Sequence, residues 1–231
     1  MHATNINTNA LDDVVWNALR TRQQHFALGN EHALRYPSAV TAFGAMADTS
    51  AASYDTLRAL IGAEGPVALV AAGEIVPPAG FSVVRRGTLV QMIRAGSEID
   101  ERELPYVTLG TDDVPEMLAL TAATQPGPFG PRTVELGGYV GIRDEGRLVA
   151  MAGERMKIDG FTEISAVCVD ESARGRGYAA GLMKLLIAKI GARGETPFLH
   201  VFTSNHAAIA LYRALGFVER RAMHLTVLGL E

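Results

Sequence analysis

The amino-acid sequence predicts an α/β (α+β) fold, in which strands alternate with helices. Short apolar runs bounded by Gly or Pro indicate strands, most clearly at 161–169. Apolar residues spaced by three and four indicate helices, most clearly at 178–190. The turn Asp144-Glu145-Gly146 between two apolar runs indicates a hairpin. Such alternation is typical of a sheet with helices packed on its faces.

The first hundred residues predict an additional α/β region. Its expected elements are the helices 10–22 and 48–61 and the strands 66–72, 81–85 and 88–94. Residues 29–49 are rich in Ala, Gly and Ser, so we expect irregular connections there. The polar, acidic segment 96–103 predicts a boundary between an N-terminal region, 1–102, and a C-terminal domain, 103–231.

The C-terminal domain carries stronger signals, in the order β-α-ββ-β-α-β-α-β. The expected strands are 106–109, 138–143, 147–156, 161–169, 198–203 and 217–228, and the expected helices are 114–124, 178–190 and 207–215. Thr111-Asp112-Asp113 followed by Pro115 indicates a helix start, and Gly216 indicates a helix end.

The composition argues against several classes of protein. Of the 231 residues, 48% are apolar and 20% charged, which is typical of a folded globular chain. The formal net charge of −4 argues against nucleic-acid binding driven by charge. No stretch offers the roughly 20 apolar residues of a membrane span, and no secretory signal is visible. The single cysteine, Cys168, excludes a disulfide framework and a Cys-rich zinc site, so we expect a cytoplasmic protein without a metal.

The loop Arg174-Gly175-Arg176-Gly177-Tyr178-Ala179 lies between a predicted strand and a predicted helix. Its glycines allow a ligand to approach the backbone closely, and the first-turn amides of the helix favour an anion. The loop therefore suits a pyrophosphate. A tight turn with solvated arginines is an alternative interpretation.

A second alternative is a dinucleotide-binding fingerprint, because Gly175-x-Gly177-x-x-Ala180 has the required spacing. Five residues, 170–174, separate this fingerprint from its strand, however, and the candidate acid Glu195 precedes the next strand instead of ending it. Both details argue against that alternative. A Walker motif is excluded because no Gly-Lys-Ser/Thr occurs.

Two segments together resemble one known family. The loop from Arg174 resembles the Gln/Arg-x-x-Gly-x-Gly/Ala motif of the GNAT superfamily of acyl-CoA-dependent N-acyltransferases. The segment from Asn205 to Phe217 is similar to that superfamily's Asn-x-x-Ala-x-x-Leu-Tyr-x-x-Leu-Gly-Phe pattern. The resemblance is to the FR47-like branch and extends over about 103–231. Residues 1–102 resemble no family; they either complete the acceptor site or pack as a degenerate half.

The resemblance implies a GNAT fold, with a mixed, largely antiparallel sheet flanked by helices, and a set of contacts to acetyl-CoA. The pantetheine would lie in a gap beside the backbone of Val167, Cys168 and Val169. The pyrophosphate would be held by backbone amides of the loop and the first helical turn, namely those of Arg174, Gly175, Arg176, Gly177, Tyr178, Ala179 and Ala180. Asn205 would bind the pantetheine arm, cap its helix, or both.

Two residues are expected to carry proton transfer. A primary amine with a pKa near 10 is mostly charged at pH 7, so its attack on the thioester needs a base. The strand of Glu163 resembles that of GNAT histone acetyltransferases, which implies Glu163 as this base, directly or through water. A salt-bridge or solvated Glu163 is the alternative. Tyr212 is expected to protonate the leaving thiolate, unless it is only a core aromatic.

Period-2 alternation would place Glu163, Ser165, Val167 and Val169 on one face, with Cys168 on the other as a buried structural thiol. His200 is expected to be a satisfied core histidine. Glu154 and Tyr139 lie on candidate substrate-side strands, without a motif to support either. The loop 126–130 is a candidate for part of the acceptor wall.

The predicted function is transfer of an acetyl group from acetyl-CoA to a primary amine by direct attack. The acceptor is a small molecule or a peptide or protein amine; we expect no nucleic-acid or membrane partner, and a homodimer is compatible with the sequence. Two other hypotheses stay open: transfer of a longer or aromatic acyl group, as in glycine N-acyltransferase relatives, and CoA binding without catalysis.

Overall fold

The computed structural model describes residues 8–96 and 104–231, which form five α-helices and a continuous sheet. The helices are α1 (Val14–Arg20), α2 (Ala51–Glu64), α3 (Val114–Thr124), α4 (Tyr178–Ala192) and α5 (His206–Ala214). The strands are β1 (Leu28–Gly29), β2 (Ala33–Arg35), β3 (Phe43–Met46), β4 (Val67–Ala71), β5 (Phe81–Arg94), β6 (Val107–Leu109), β7 (Tyr139–Asp144), β8 (Arg147–Ile158), β9 (Phe161–Val169), β10 (Thr196–Phe202) and β11 (Phe217–Leu230).

The sheet interleaves strands from both ends of the chain. Its order is β1-β2-β3-β4-β11-β5-β10-β9-β8-β7-β6. β5 therefore lies between β10 and β11, and Val90 of β5 faces Val201 on one side and Ala222 on the other. The residues before 97 thus supply a central strand to the sheet that carries β6–β10. Most of the predicted boundary segment, 97–103, lies outside the described residues, and the division at 102/103 stays a prediction.

Helices cover both faces of the sheet. On β10, Phe198 packs into a core with Leu11, Val14 and other residues around α1. Its neighbour Leu199 points the other way, into a core with residues of α4 and α5 such as Leu182. The helix α3 packs on β8 and β9, in a core that includes Met117 and Cys168. The site described below lies in the sheet, between α1 and α3 on one face and α4 and α5 on the other.

The predicted fold class is confirmed, with two differences in the N-terminal region. Residues 29–49 were expected to be irregular but contain β2 and β3, which extend the edge of the sheet beyond β4. The two expected strands at 81–85 and 88–94 are one strand, β5, because β11 continues to pair with it through Gly87. Pairing along a long neighbouring strand therefore overrides the local break that Gly87 indicates.

Among the described residues, no helix is both long enough and apolar enough to cross a membrane.

Candidate acyl-transfer site

A wedge-shaped gap opens between the parallel strands β9 and β10. They pair only from Phe161 opposite Thr196 to Glu163 opposite Phe198. Beyond that pair β10 continues beside β5, and β9 continues beside β8. Within the described part of the chain, the later β9 backbone therefore has no strand partner on its gap side. Such an edge can accept the amides of an extended ligand.

The vertex of this gap is the last pair of the two strands, Glu163 and Phe198. A β-bulge lies on β9 just beyond it. Ala166 has a φ of 53°, and three steps on β9, from Ser165 to Cys168, match two steps on β8. The extra residue shifts the alternation of side chains. As a result Val167 packs in the core under α4, whereas Cys168 packs under α3.

This bulge corrects one expectation about β9. Unbroken alternation would have placed Glu163 and Val167 on one face and Cys168 on the other. Instead Ile164 and Val167 share the α4 side, so Glu163 and Cys168 share the opposite side. Burial raises the pKa of the Cys168 thiol to about 11, which keeps the thiol protonated and unreactive at neutral pH. The structure agrees with the expected structural role of this cysteine.

The predicted pyrophosphate loop stands at the open end of the gap. Gly175 and Gly177 both have a φ of 79°, a conformation that L side chains rarely adopt, and Gly177 is the N-cap of α4. The amides of Tyr178, Ala179 and Ala180 lie in the first turn, where a helix has no acceptor for them. Arg176 is paired with Asp144 of the β7–β8 turn, Nη1 to Oδ2 3.0 Å. The loop thus combines first-turn amides that have no helical acceptor with an arginine that is paired with Asp144.

The second predicted motif forms the start of α5. The Asn205 side chain accepts a hydrogen bond from the Ala208 amide at 3.2 Å, so Asn205 is the N-cap of α5. Because β9 and β10 run parallel, α4 and α5 both begin at the open end of the gap. Tyr212 lies further along α5, 6.2 Å from the Phe217 ring between centroids. Burial raises the pKa of Tyr212 to about 12, so the phenol is neutral at pH 7.

Comparisons with known proteins agree with this geometry. The family model for FR47-like proteins matches residues 139–225. The solved structure of a GNAT-family protein from Novosphingobium aromaticivorans is 39% identical in sequence to this chain. The match covers 96% of this chain and 98% of that chain, with a TM-score of 0.87. The chain belongs to the GNAT family. A GCN5-related N-acetyltransferase from Kribbella flavida, 21% identical with a TM-score of 0.58 over 97% of this chain and 96% of that one, shares the fold.

Two relatives with named activities match part of this GNAT chain. The N-alpha-acetyltransferase RimI of Mycobacterium tuberculosis is 42% identical over 82 residues, which cover 34% of this chain and 51% of that protein. The ribosomal protein bS18-alanine N-acetyltransferase of Escherichia coli K12 is 35% identical over 94 residues, which cover 39% of this chain and 63% of that protein. The chain thus spans about half to two thirds of these relatives.

Glu163 lies at the vertex of the GNAT gap, but its surroundings do not suit a direct base. Its side chain is 0% exposed, and Arg155 donates to it twice, Nε to Oε2 at 2.8 Å and Nη2 to Oε1 at 2.7 Å. Burial alone would raise the pKa of Glu163, but Arg155 and His200 outweigh burial and lower it to about 2. A carboxylate this well satisfied is a weak proton acceptor. The structure therefore favours the salt-bridge role of Glu163 over the predicted direct base.

His200 connects Glu163 to a polar chain across the sheet. Its Nδ1 lies 2.7 Å from Glu163 Oε1, and its Nε2 lies 3.0 Å from Gln91 Nε2. Arg220 donates to Gln91 Oε1 at 2.7 Å, which identifies the Gln91 nitrogen as the donor toward His200. Nε2 of His200 is therefore a hydrogen-bond acceptor, and the ring proton on Nδ1 faces Glu163. The expected satisfied histidine is present, but it lies at the gap.

Arg155 and Gln91 are the participants that sequence reasoning missed. Arg155 is a lone cation within the buried part of β8, and a buried arginine requires a partner. That signal could have paired Arg155 with Glu163 across the 147–169 hairpin. Gln91 carries no such signal because its partners come from distant segments. Among the described residues, no cluster of His, Cys, Asp and Glu could hold a metal ion.

Proposed function

We propose that the protein transfers an acetyl group from acetyl-CoA to a primary amine by direct attack. The observation that carries the proposal is the β9–β10 gap, which ends at a bulge and opens toward the first turn of α4. An extended ligand with amides along its length and a pyrophosphate at its far end fits these features. Family membership supports the same chemistry.

In this proposal the chain holds acetyl-CoA mainly through backbone groups. Val167, Cys168 and Val169 offer their edge to the pantetheine amides, as an added strand would use it. The Arg174–Ala180 amides and the dipole of α4 hold the pyrophosphate. The oxygen of Asn205 is occupied by the α5 cap, so its amide nitrogen is the group left for the pantetheine arm. The thioester then lies near the vertex, beside Ala166.

We propose that Glu163 acts through His200 instead of removing the proton itself. The carboxylate fixes the Nδ1–H tautomer and stabilises the imidazolium, which leaves Nε2 as the proton acceptor once the Gln91 amide turns away. Ordered water is the other route for the proton. The test compares His200→Gln with Glu163→Gln in pH–rate profiles. If both variants lose the same rise in rate near neutral pH, His200 is supported as the base. If the pH–rate profile of His200→Gln is unchanged, water is the base.

An amino-terminal α-amine is the acceptor that this site suits best. With an α-amine pKa of about 7.8, about one amine in seven is neutral at pH 7, against about one in 2,500 for a lysine amine with a pKa of about 10.4. A site without a free carboxylate base favours the amine that needs less help. The names of the two matched relatives, an N-alpha-acetyltransferase and an alanine N-acetyltransferase, point the same way.

The test is a CoA-release screen with matched acceptors. We would compare an alanine-initiated peptide, the same peptide with a blocked amino terminus and one internal lysine, and small amines. Each acceptor is tested with acetyl-, propionyl- and benzoyl-CoA, because the longer and aromatic acyl groups are the second hypothesis. Turnover confined to the free amino terminus supports the proposal. Tight CoA binding without any product would favour the non-catalytic hypothesis.

The cytoplasm is the proposed location, since acetyl-CoA and newly made protein termini are both present there. A homodimer is neither required nor opposed by this arrangement.

A further inference from the structure

We propose that the hydroxyl group of Tyr139 binds substrate, donating a hydrogen bond to a carbonyl oxygen at the vertex of the gap. The oxygen belongs either to the acyl thioester or to the acceptor, as the peptide carbonyl next to an amino-terminal amine. The inference rests on the proposed acetyl transfer, and it assigns a role to a residue that no motif identifies.

The hydroxyl of Tyr139 is buried without a partner. The residue is 1% exposed, and its oxygen has no hydrogen-bond partner among the described residues. Tyr36, equally buried, differs: its hydroxyl donates to Gln23 Oε1 at 2.6 Å. A buried hydroxyl without a partner destabilises a protein, and a phenylalanine would pack in the same space without that cost. Packing alone therefore explains the ring of Tyr139 but not its oxygen.

The ring of Tyr139 lies across β8 toward the gap. Tyr139 pairs with Gly153 on β8, and Gly153 pairs with Ser165 on β9. A Cβ atom at Gly153 would lie 2.2 Å from two atoms of the Tyr139 ring, so only glycine leaves room for the ring there. Neighbouring strands are about 4.8 Å apart, so a ring that already covers Gly153 carries its hydroxyl to the β9 side.

The part of β9 on that side is the bulge at the vertex. Ala166 and Cys168 pack in the same cluster as Tyr139, and Ala166 is the bulged residue. Burial raises the pKa of Tyr139, with smaller effects from Arg155 and Glu163, so the hydroxyl keeps its proton and can donate. The donor is thus placed where a thioester beside Ala166 would meet the attacking amine.

The acceptor side also reaches this residue. Phe129 packs edge-on against the Tyr139 ring, with 5.7 Å between centroids. Phe129 belongs to the loop 126–130 that we expect to form part of the acceptor wall. A change in that loop on acceptor binding would therefore be transmitted to Tyr139 directly.

The experiment compares Tyr139→Phe with wild type, with Tyr36→Phe as the matched control. Tyr139→Phe should raise the Tm of the free protein because it removes an unpaired buried hydroxyl, and yet lower kcat/KM at least about tenfold. Tyr36→Phe should lower the Tm because it breaks a hydrogen bond. A higher stability together with a lower activity is the combination that a merely structural tyrosine cannot give.

Separate measurements identify the source of the carbonyl oxygen. Weaker acetyl-CoA binding in calorimetry, with desulfo-CoA binding unchanged, assigns the oxygen to the thioester. Unchanged acetyl-CoA binding with a raised KM for the acceptor assigns it to the acceptor. Unchanged kinetics, or a lowered Tm in Tyr139→Phe, would overturn the inference. If wild type itself neither binds acetyl-CoA nor forms product, the proposed function fails instead.

Discussion

Arg155 and Glu163 form a bidentate ion pair whose side chains are 8% and 0% exposed. The pair joins β8 to β9 at the vertex of the gap, and His200 Nδ1 contacts the same carboxylate at 2.7 Å. The guanidinium also lies over the Phe43 ring, 4.7 Å from its centroid, which connects the pair to the N-terminal strands. A pair so deeply buried stabilises the fold only while both partners are present, because removal of one leaves an unpaired charge in the core.

Glu163→Gln should therefore destabilise the protein by about 3–5 kcal/mol, because Arg155 would lose its counter-charge. Equilibrium unfolding in urea measures this loss. The double variant Arg155→Met/Glu163→Leu is the control: it removes both charges and should recover much of the stability without recovering activity. A Glu163→Gln protein as stable as wild type, but slow, would restore Glu163 as a direct base.

The same pair should make stability depend on pH at the acidic end. The pKa of Glu163 is lowered to about 2 in the folded protein, against about 4.3 in an unfolded chain. The unfolded state therefore binds the proton first as the pH falls. The stabilisation is complete above about pH 5 and is lost as the pH falls through the folded pKa.

The measurement is the free energy of unfolding of wild type and Glu163→Gln at several pH values between 7 and 3. The difference between the two proteins should shrink steadily below about pH 5. A difference that stays constant over this range would show that the Glu163 carboxylate is not stabilised by Arg155 in solution.

Local patterns predicted much of this fold because several elements are decided by adjacent residues. The helix Val114–Thr124 and the strand Phe161–Val169 have the predicted bounds, since Pro115 in the first turn and a local apolar run define them. The predicted side-chain cap at Asp113 is absent, because this carboxylate accepts from the Gly110 amide of the preceding turn. β5 could not be placed in the same way. Its position between β10 and β11 depends on pairing with strands more than a hundred residues away.

The parts of the candidate site that consist of short backbone motifs are visible in the sequence, whereas the contacts that depend on strand register are not. The glycine loop and Asn205 belong to short motifs, and both lie at the start of a helix in the structure. The ion pair of Glu163 required knowing that Arg155 lies across the β8–β9 register. The bulge at Ala166 is invisible in sequence because alanine rarely adopts a positive φ, so its conformation is imposed by the neighbouring strand.

Substitution of Gly177 should weaken CoA binding. Valine at a φ of 79° is strained, and its side chain would stand beside the amides that face the pyrophosphate. We expect at least about a tenfold rise in the calorimetric Kd of CoA, about 1.4 kcal/mol. Gly191→Ala, near the end of α4 where a Cβ meets nothing within 4 Å, is the matched control and should bind normally. Equal affinities for Gly177→Val and wild type would place the pyrophosphate elsewhere.

Tyr212→Phe should slow acetyl transfer while leaving the fold intact. The phenol has a pKa of about 12, so it holds its proton at pH 7 and can share it with a leaving thiolate whose ordinary pKa is about 8.5. Phenylalanine keeps the packing against Phe217 and removes the hydroxyl. We expect kcat to fall at least about tenfold, about 1.4 kcal/mol in the barrier, with CoA affinity and Tm little changed.

The control for Tyr212→Phe is Tyr54→Phe, on α2 beyond β4. It removes a hydroxyl that makes one long hydrogen bond, 3.4 Å to the Val76 carbonyl, and should keep full activity. Rates with a series of acyl thioesters add a second readout: a poorer leaving group should suffer more from Tyr212→Phe. Normal turnover in the Phe variant, or equal losses across the series, would mean that another group protonates the thiolate.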